Sequence, residues 1–282
     1  VLVMAIVPAW YISHKLSQLS FSEYKTLYGG KKKQRFIALL VVLQFSISIG
    51  LIFATLVANE QINLIKKRAY CYENRIEIGG INATPAAILK EELKKHVQGI
   101  ESIALSQGSI LNSWIRELSI KQTDGTEKSS YLLMLYSDAN LVETMGFKLL
   151  SGDVPEQLQK QYAYPALVNE SYIRMLIPAG ANAIGRPLKE FDQSADSLYI
   201  IAGILEDFPF NSLENEITPA ILYLPPAENM SGANYLQIKL NESNRQETLC
   251  KIVQVWEKMN EGGVFQYTDM HQDFMKRNDK VL

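Results

Sequence analysis

The chain is poor in the residues that carry most catalytic and metal chemistry. It has two cysteines, Cys71 and Cys250, and three histidines, His14, His96 and His271, in 282 residues. The histidines lie in a linker, on a helical stretch and in the final segment, and no two have metal-ligand spacing. Each therefore reads as a surface residue. No Cys-x-x-Cys, no Gly-x-Ser-x-Gly and no nucleotide-binding glycine pattern occurs, and Gly29-Gly30-Lys31-Lys32 lacks the spacing and the Ser/Thr of a phosphate loop. A formal net charge of -2 leaves no basic footprint, so nucleic acid is not an expected partner. No catalytic, cofactor-binding or metal-binding residue is assigned, and no enzymatic activity of the chain's own is expected.

What is present is one long apolar run. Phe36 to Ala58 reads FIALLVVLQFSISIGLIFATLVA, 23 positions without an ionisable side chain. A bilayer core needs about 20 such residues, so a transmembrane helix is expected over 36–58. No later stretch is long and apolar enough to cross again. The first 13 residues, VLVMAIVPAWYIS, are apolar but too short to span, and they read as the end of an earlier transmembrane helix in a polytopic protein. A signal peptide fits less well, because no basic region precedes them. Residues 14–35 hold six Lys/Arg, against Lys66, Lys67, Arg68 and Arg75 after the run. That bias places 14–35 in the cytoplasm and the large remainder outside. Leu16, Leu19, Tyr24 and Leu27 share one helical face before Gly29-Gly30, which fits an interfacial helix or a solvated linker equally.

Residues 59–75 form an expected stalk in which Gln61, Ile62, Leu64 and Ile65 continue the helix, since no Gly or Pro interrupts before Gly79. Beyond it, Arg75–Ile78 reads as a strand and Thr84-Pro85 as an N-cap followed by Pro at the first helical position. Leu89, Leu93 and Val97 give the helix a buried face, and 99–105 returns as a strand. Leu118–Lys121 and Tyr131–Tyr136 flank Asp124-Gly125 as a hairpin. Near the other end, Tyr235–Leu240 alternates, and Ser243–Gln246 has capping-box spacing. Leu249, Ile252, Val253 and Trp256 form a helical stripe, and Val264–Tyr267 reads as a closing strand. Strand–helix–strand at both ends predicts a split α+β sheet shared by 76–140 and 233–270, with an inserted β-rich subdomain at 141–232.

The remaining polar features point to no catalytic chemistry. Glu206-Asp207 ends the apolar strand 200–205; adjacent carboxylates on a strand face opposite ways, so Asp207 is expected to bond backbone amides in a turn. Arg116-Glu117 and Asn169-Glu170-Ser171 have no base or nucleophile nearby in sequence. Asn82, Asn169, Asn229 and Asn241 sit in N-x-S/T sequons, short enough to arise by chance. Cys71 and Cys250 could pair in an oxidising exterior, but they lie in distant segments, and two separate thiols is the simpler reading.

Several stretches together resemble a family. Val7-Pro8-Ala9 before Tyr11 is similar to the end of a helix closing the first half of MacB/FtsX-type ABC transporter permeases, in their long duplicated Bacteroidetes-like form. Leu43–Ser48 resembles that family's Q-F-x-I-S signature, Gln61 the residue that follows it, Val168–Ser171 its (V/I)-N-E-(S/T) segment, and Ala183–Leu188 its I-G segment. Ile201–Leu213 resembles its I-x-G-V-v-k-D-F-h-f-x-S-L segment, with Ile204 and Leu205 in place of Val, Glu206 in place of Lys and Pro209 in place of His. The resemblance implies an α+β MacB-like periplasmic core domain at 76–282 with a porter-like sheet. It also implies a permease subunit that couples ATP hydrolysis by a separate cytoplasmic ABC ATPase to movement of this domain, for export or mechanotransmission. Implied partners are that ATPase, a second permease copy or homodimer, a periplasmic protein and membrane lipid, in the bacterial inner membrane. A membrane-anchored ligand-sensing receptor is the competing reading.

Overall fold

A computed structural model describes residues 14, 31–81, 83–112, 114–121, 127–177, 180–188, 199–210, 217–230, 232–260 and 264–278. The expected helix end at 1–13, the linker stretch 16–27, the sequon at Asn82 and the Asp124-Gly125 turn lie outside the described residues. The chain divides into two compact units between Asn63 and Leu64.

The first unit contains most of α1 (Lys31–Arg68), a helix that begins before the apolar run and outlasts it. Ala38–Asn63 is a candidate membrane span by length and composition, and none of it is buried in protein. Its 26 residues make about 39 Å of helix, more than the ~30 Å a bilayer core requires. Leu39, Leu43, Phe45, Ile52 and Phe53 are all more than half exposed, so the helix is apolar all round. Two of its hydroxyls bond back within the helix: Ser46 Oγ donates to Val42 O at 2.9 Å and Thr55 Oγ1 to Leu51 O at 2.8 Å.

The second unit is α+β with two sheets. After a short 3-10 turn (Ala69–Tyr72) come β1 (Arg75–Ile78), α2 (Ala83–His96), β2 (Ile100–Ser106), β3 (Trp114–Lys121) and β4 (Glu127–Tyr136). Then follow α3 (Asn140–Met145), β5 (Leu149–Gly152), α4 (Pro155–Gln161), β6 (Pro165–Asn169) and α5 (Glu170–Leu176). The last elements are β7 (Ile200–Leu205), β8 (Ala220–Tyr223), β9 (Tyr235–Leu240), α6 (Arg245–Met259), β10 (Thr268–Asp269) and α7 (Met270–Arg277).

The first sheet has the order β10-β1-β9-β2 and is antiparallel throughout. Alternation decides its faces. Ile76, Ile78, Leu236 and Ile238 point to one side, where Leu89 and Leu93 of α2 and Ile252 of α6 complete a core. The second sheet is mixed, with the order β3-β4-β8-β6-β7-β5. Its central strands are buried on both faces: Leu133, Leu167 and Leu222 join one cluster, and Leu132, Val168 and Ile221 another. The first of these clusters also takes in Ala104 of β2 and Phe274 of α7, so the two sheets share a core.

Several expectations change. Strands β3 and β4, grouped from the sequence with 76–140, belong to the second sheet, because β4 runs parallel to β8. Helix α2 starts at Ala83, so Thr84 and Pro85 lie inside its first turn rather than at the cap. The capping box at Ser243 does not form: Asn241 caps an earlier 3-10 turn by accepting from Ser243 N at 3.0 Å, and α6 starts at Arg245 without a side-chain cap. The segment 264–267 is not a strand; pairing with β1 begins at Thr268.

One close approach in the second sheet is glycine-dependent. Gly152 has φ 100°, and a Cβ there would lie 2.5 Å from Ala202 O and 2.7 Å from Gly203 Cα of the paired strand β7. Gly152→Ala is expected to lower stability by about 2–3 kcal/mol from strain and backbone displacement, seen as a drop in thermal midpoint. An unchanged midpoint would show that β5 can move away freely.

Candidate functional site

Two of the motif segments named above, 168–171 and 201–210, meet near the start of the second unit, where Pro209 contacts Tyr72. Cys71 and Tyr72 are fully buried directly after α1. The Tyr72 ring packs on Phe274 of α7 with centroids 4.7 Å apart, and its hydroxyl donates to Pro209 O, in the segment after β7. Asn74 adopts φ 56°, a left-handed conformation that Asn tolerates well, and turns the chain into β1. Arg75 then collects three carbonyls: Nε donates to Thr144 O near the end of α3, and one terminal nitrogen to Glu73 O at 2.7 Å and Tyr70 O at 3.1 Å. A cation at a helix C-terminus also meets the negative end of its dipole. Burial pushes the Cys71 thiol up to about 12, so it stays a neutral packing group. Cys71 and Cys250, the latter exposed on α6, are not joined by a disulfide.

The segment that Tyr72 grips is itself tied down. Asp207 accepts from Ser171 N at 2.9 Å and Ser171 Oγ at 2.8 Å, and pairs with Arg174 at 2.6 Å. This is the backbone-bonding role expected for Asp207, with an ion pair added. Glu170 answers by accepting from Asp207 N at 3.3 Å. Phe208 stacks on Phe147 at 4.0 Å. Asn169 is the hub beneath: its Oδ1 accepts from Tyr172 N at 3.0 Å and Ala220 N at 2.8 Å, and Nδ2 donates to Thr218 O at 3.1 Å. One buried side chain thus caps α5 and fixes the start of β8. With 1% exposure, Asn169 is closed to glycan attachment.

Further along the same unit, Asp138 pairs with Lys90 of α2 and accepts from Leu105 N at 3.0 Å and Asn140 N at 3.1 Å. Burial raises the Asp138 carboxyl and the Lys90 ammonium opposes the rise. Glu77, 5% exposed, accepts from Ile110 N at 3.1 Å and Gln237 Nε2 at 3.0 Å, and burial raises it despite these bonds. Beside it lies an open groove of about 570 Å³, whose walls include Gly79, Tyr235, Phe265, Gln266 and Thr268.

The other candidates stay apart. His96 contacts Glu92 at 3.3 Å on the exposed side of α2, and His271 sits on α7. Among the described residues no three His, Cys, Asp or Glu side chains gather as metal ligands. Glu117 is on β3 and Glu206 pairs with Lys148 at 3.5 Å. The sequence singled out Asn169 in the 168–171 segment but not its role as a hub, and it gave no role to Tyr72 or to the Arg75 side chain. Asn169 carried a legible signal, an Asn immediately before a helical stretch, which is a cap pattern. Tyr72 carried none, because Phe274 and Pro209 are distant in sequence, and Arg75 carried none for its bond to Thr144, 69 positions away.

The chain matches no protein-family model and no curated protein. Among solved structures it is similar to the extracellular domain of the noncanonic ABC-type transporter YknZ from Gram-positive bacteria, with 9% identity and a TM-score of 0.43, over 69% of this chain and 98% of that one. It is also similar to a domain of a protein described as a permease from Porphyromonas gingivalis, with 17% identity and a TM-score of 0.44, over 70% and 88% of the two chains. At these scores the functional reading rests on the chain's own residues.

Proposed function

We propose that this chain is part of an ABC transporter permease of the MacB/FtsX type. In this reading residues 76–282 are the periplasmic core domain, α1 crosses the inner membrane, and a separate cytoplasmic ATPase drives movement of the domain for export or mechanotransmission. The observation that carries it is the entry into the second unit. Cys71, Tyr72 and Arg75 are packed and bonded into the domain through Phe274, Pro209 and Thr144, so displacement of residues 69–75 must displace the fold. A tethered sensor needs no such joint. The motif-bearing residues Asn169, Ser171 and Asp207 support the same loop, which gives the sequence resemblance a mechanical meaning.

The test is purification of the tagged full-length protein from native membranes. An ABC ATPase should co-purify in stoichiometric amount, and its hydrolysis rate in nanodiscs should depend on the permease. Co-purification of a kinase or another signalling enzyme, with no ATPase present, would overturn the reading in favour of a receptor.

A further inference from the structure

The groove beside Glu77 has the shape of an interrupted sheet. Strands β1 and β10 pair at Ile76–Asp269 and Glu77–Thr268, and there the ladder stops. The same register would set Ile78 against Tyr267 and Gly79 against Gln266. The segment 264–267 instead leaves the sheet, held by Phe265, whose ring lies 5.7 Å from Trp256 and 5.8 Å from Tyr267. Leu240 N donates to Asn74 O, so the residues of β1 in phase with Asn74 bond inward to β9, and Arg75, Glu77 and Gly79 face outward. Gly79 is therefore the next outward position after the last paired residue, and it is exposed.

We propose that this groove takes up one extended strand of a partner polypeptide, which adds to the outer edge of β1 beyond Glu77. The groove wedges open between an unfinished strand edge and a strand-competent segment, so main-chain hydrogen bonding is what an occupant must supply. Its walls suit a polypeptide. The floor is fixed, because Glu77 is held by Ile110 N and Gln237, and Asn112 at the margin is held by Arg277 at 2.8 Å. The rim offers apolar contact at Tyr267, 44% exposed. Gly79 leaves room for the Tyr235 ring, which lies 2.3 Å from where a Cβ would stand, so this aromatic wall depends on glycine. The inference holds whether the domain serves a transporter or a sensor.

The test uses the full chain in detergent micelles with a blocked peptide of alternating Thr and Lys as probe. Hydrogen exchange read by mass spectrometry should show saturable new protection at Gly79 and in 264–267, the positions beyond the Glu77–Thr268 pair. The same peptide N-methylated at alternate residues should bind about tenfold or more weakly, because it has lost the donors for one ladder. Tyr267→Ala, at an exposed position, should weaken the unmodified peptide several-fold while leaving the fold intact. The proposal is overturned by equal affinity for the N-methylated peptide, by absence of saturable binding at millimolar peptide, or by protection outside these segments. It is equally overturned if lysine amide alone gives the same protection, which would mark a small-amine pocket, or if the chain without peptide dimerises through these amides.

Discussion

Replacing Asn169 by Ala is expected to lower the stability of the second unit by about 3–5 kcal/mol, among the largest single-site effects in the chain. Loss of an N-cap side chain costs ~1 kcal/mol. Here the same deletion strands two further buried groups, Ala220 N and Thr218 O, at roughly 1–3 kcal/mol each. The variant also enlarges the small apolar cavity that Asn169 lines with Leu167, Phe208 and Ala220. Asn169→Asp separates the contributions: it keeps the two acceptor bonds and loses the donor to Thr218, so about 1–2 kcal/mol is expected. Asn229→Ala, at an exposed position, should be near neutral. Denaturant unfolding followed by tryptophan fluorescence measures all three. If Asn169→Ala unfolds within 1 kcal/mol of wild type by this ~1 kcal/mol cap scale, the hub assignment is wrong.

Local patterns in the sequence that were satisfied locally came out as read. The apolar run is a helix, and β1, β2 and β9 fall where alternation placed them. The stripe of α6 buries Ile252 and partly buries Leu249 and Trp256 against the first sheet. The α+β class follows from these elements. What failed was decided by competition between segments. Val264–Tyr267 has strong strand propensity, but Phe265 gains more by packing on Trp256 than by extending a ladder on β1. Ser243 has the spacing of a cap, yet Asn241 caps the chain first, and one loop cannot serve both. Glu77 alternates with Ile76 and Ile78 and so looks solvent-facing. It is buried because Ile110 and Leu111 cover the second face of the sheet, from a loop 33 residues away. Helices α3, α4, α5 and α7 have six to eight residues, too few for a periodic window to register. Asp207 was legible as a turn residue, whereas its partners Ser171 and Arg174 were not, because spatial neighbours 33–36 positions apart leave no trace in spacing.

The joint at 69–75 leads to the second large expected effect. Helix α1 runs to Arg68 and is followed in sequence by the 3-10 turn Ala69–Tyr72, of which Cys71 and Tyr72 are buried in the second unit. A Gly/Ser-rich stretch inserted after Lys67 would behave as a flexible coil and absorb displacement instead of passing it on. The unit itself should still fold, because Tyr72–Phe274, Tyr72–Pro209 and Arg75–Thr144 all lie beyond the insertion. On the permease reading proposed above, function in cells should therefore fall to the level of a strain with an inactive ATPase, while ATPase co-purification persists. A helix-forming insertion at the same point, Ala- and Glu/Lys-rich and about seven residues long, adds about two turns and keeps both stiffness and phase. It should retain much of the function that the Gly/Ser insertion destroys. If both insertions are inactive, length rather than stiffness is what matters at this joint. If the Gly/Ser variant works normally, the second unit acts as a tethered binding module, and the mechanical reading of Tyr72 and Arg75 fails.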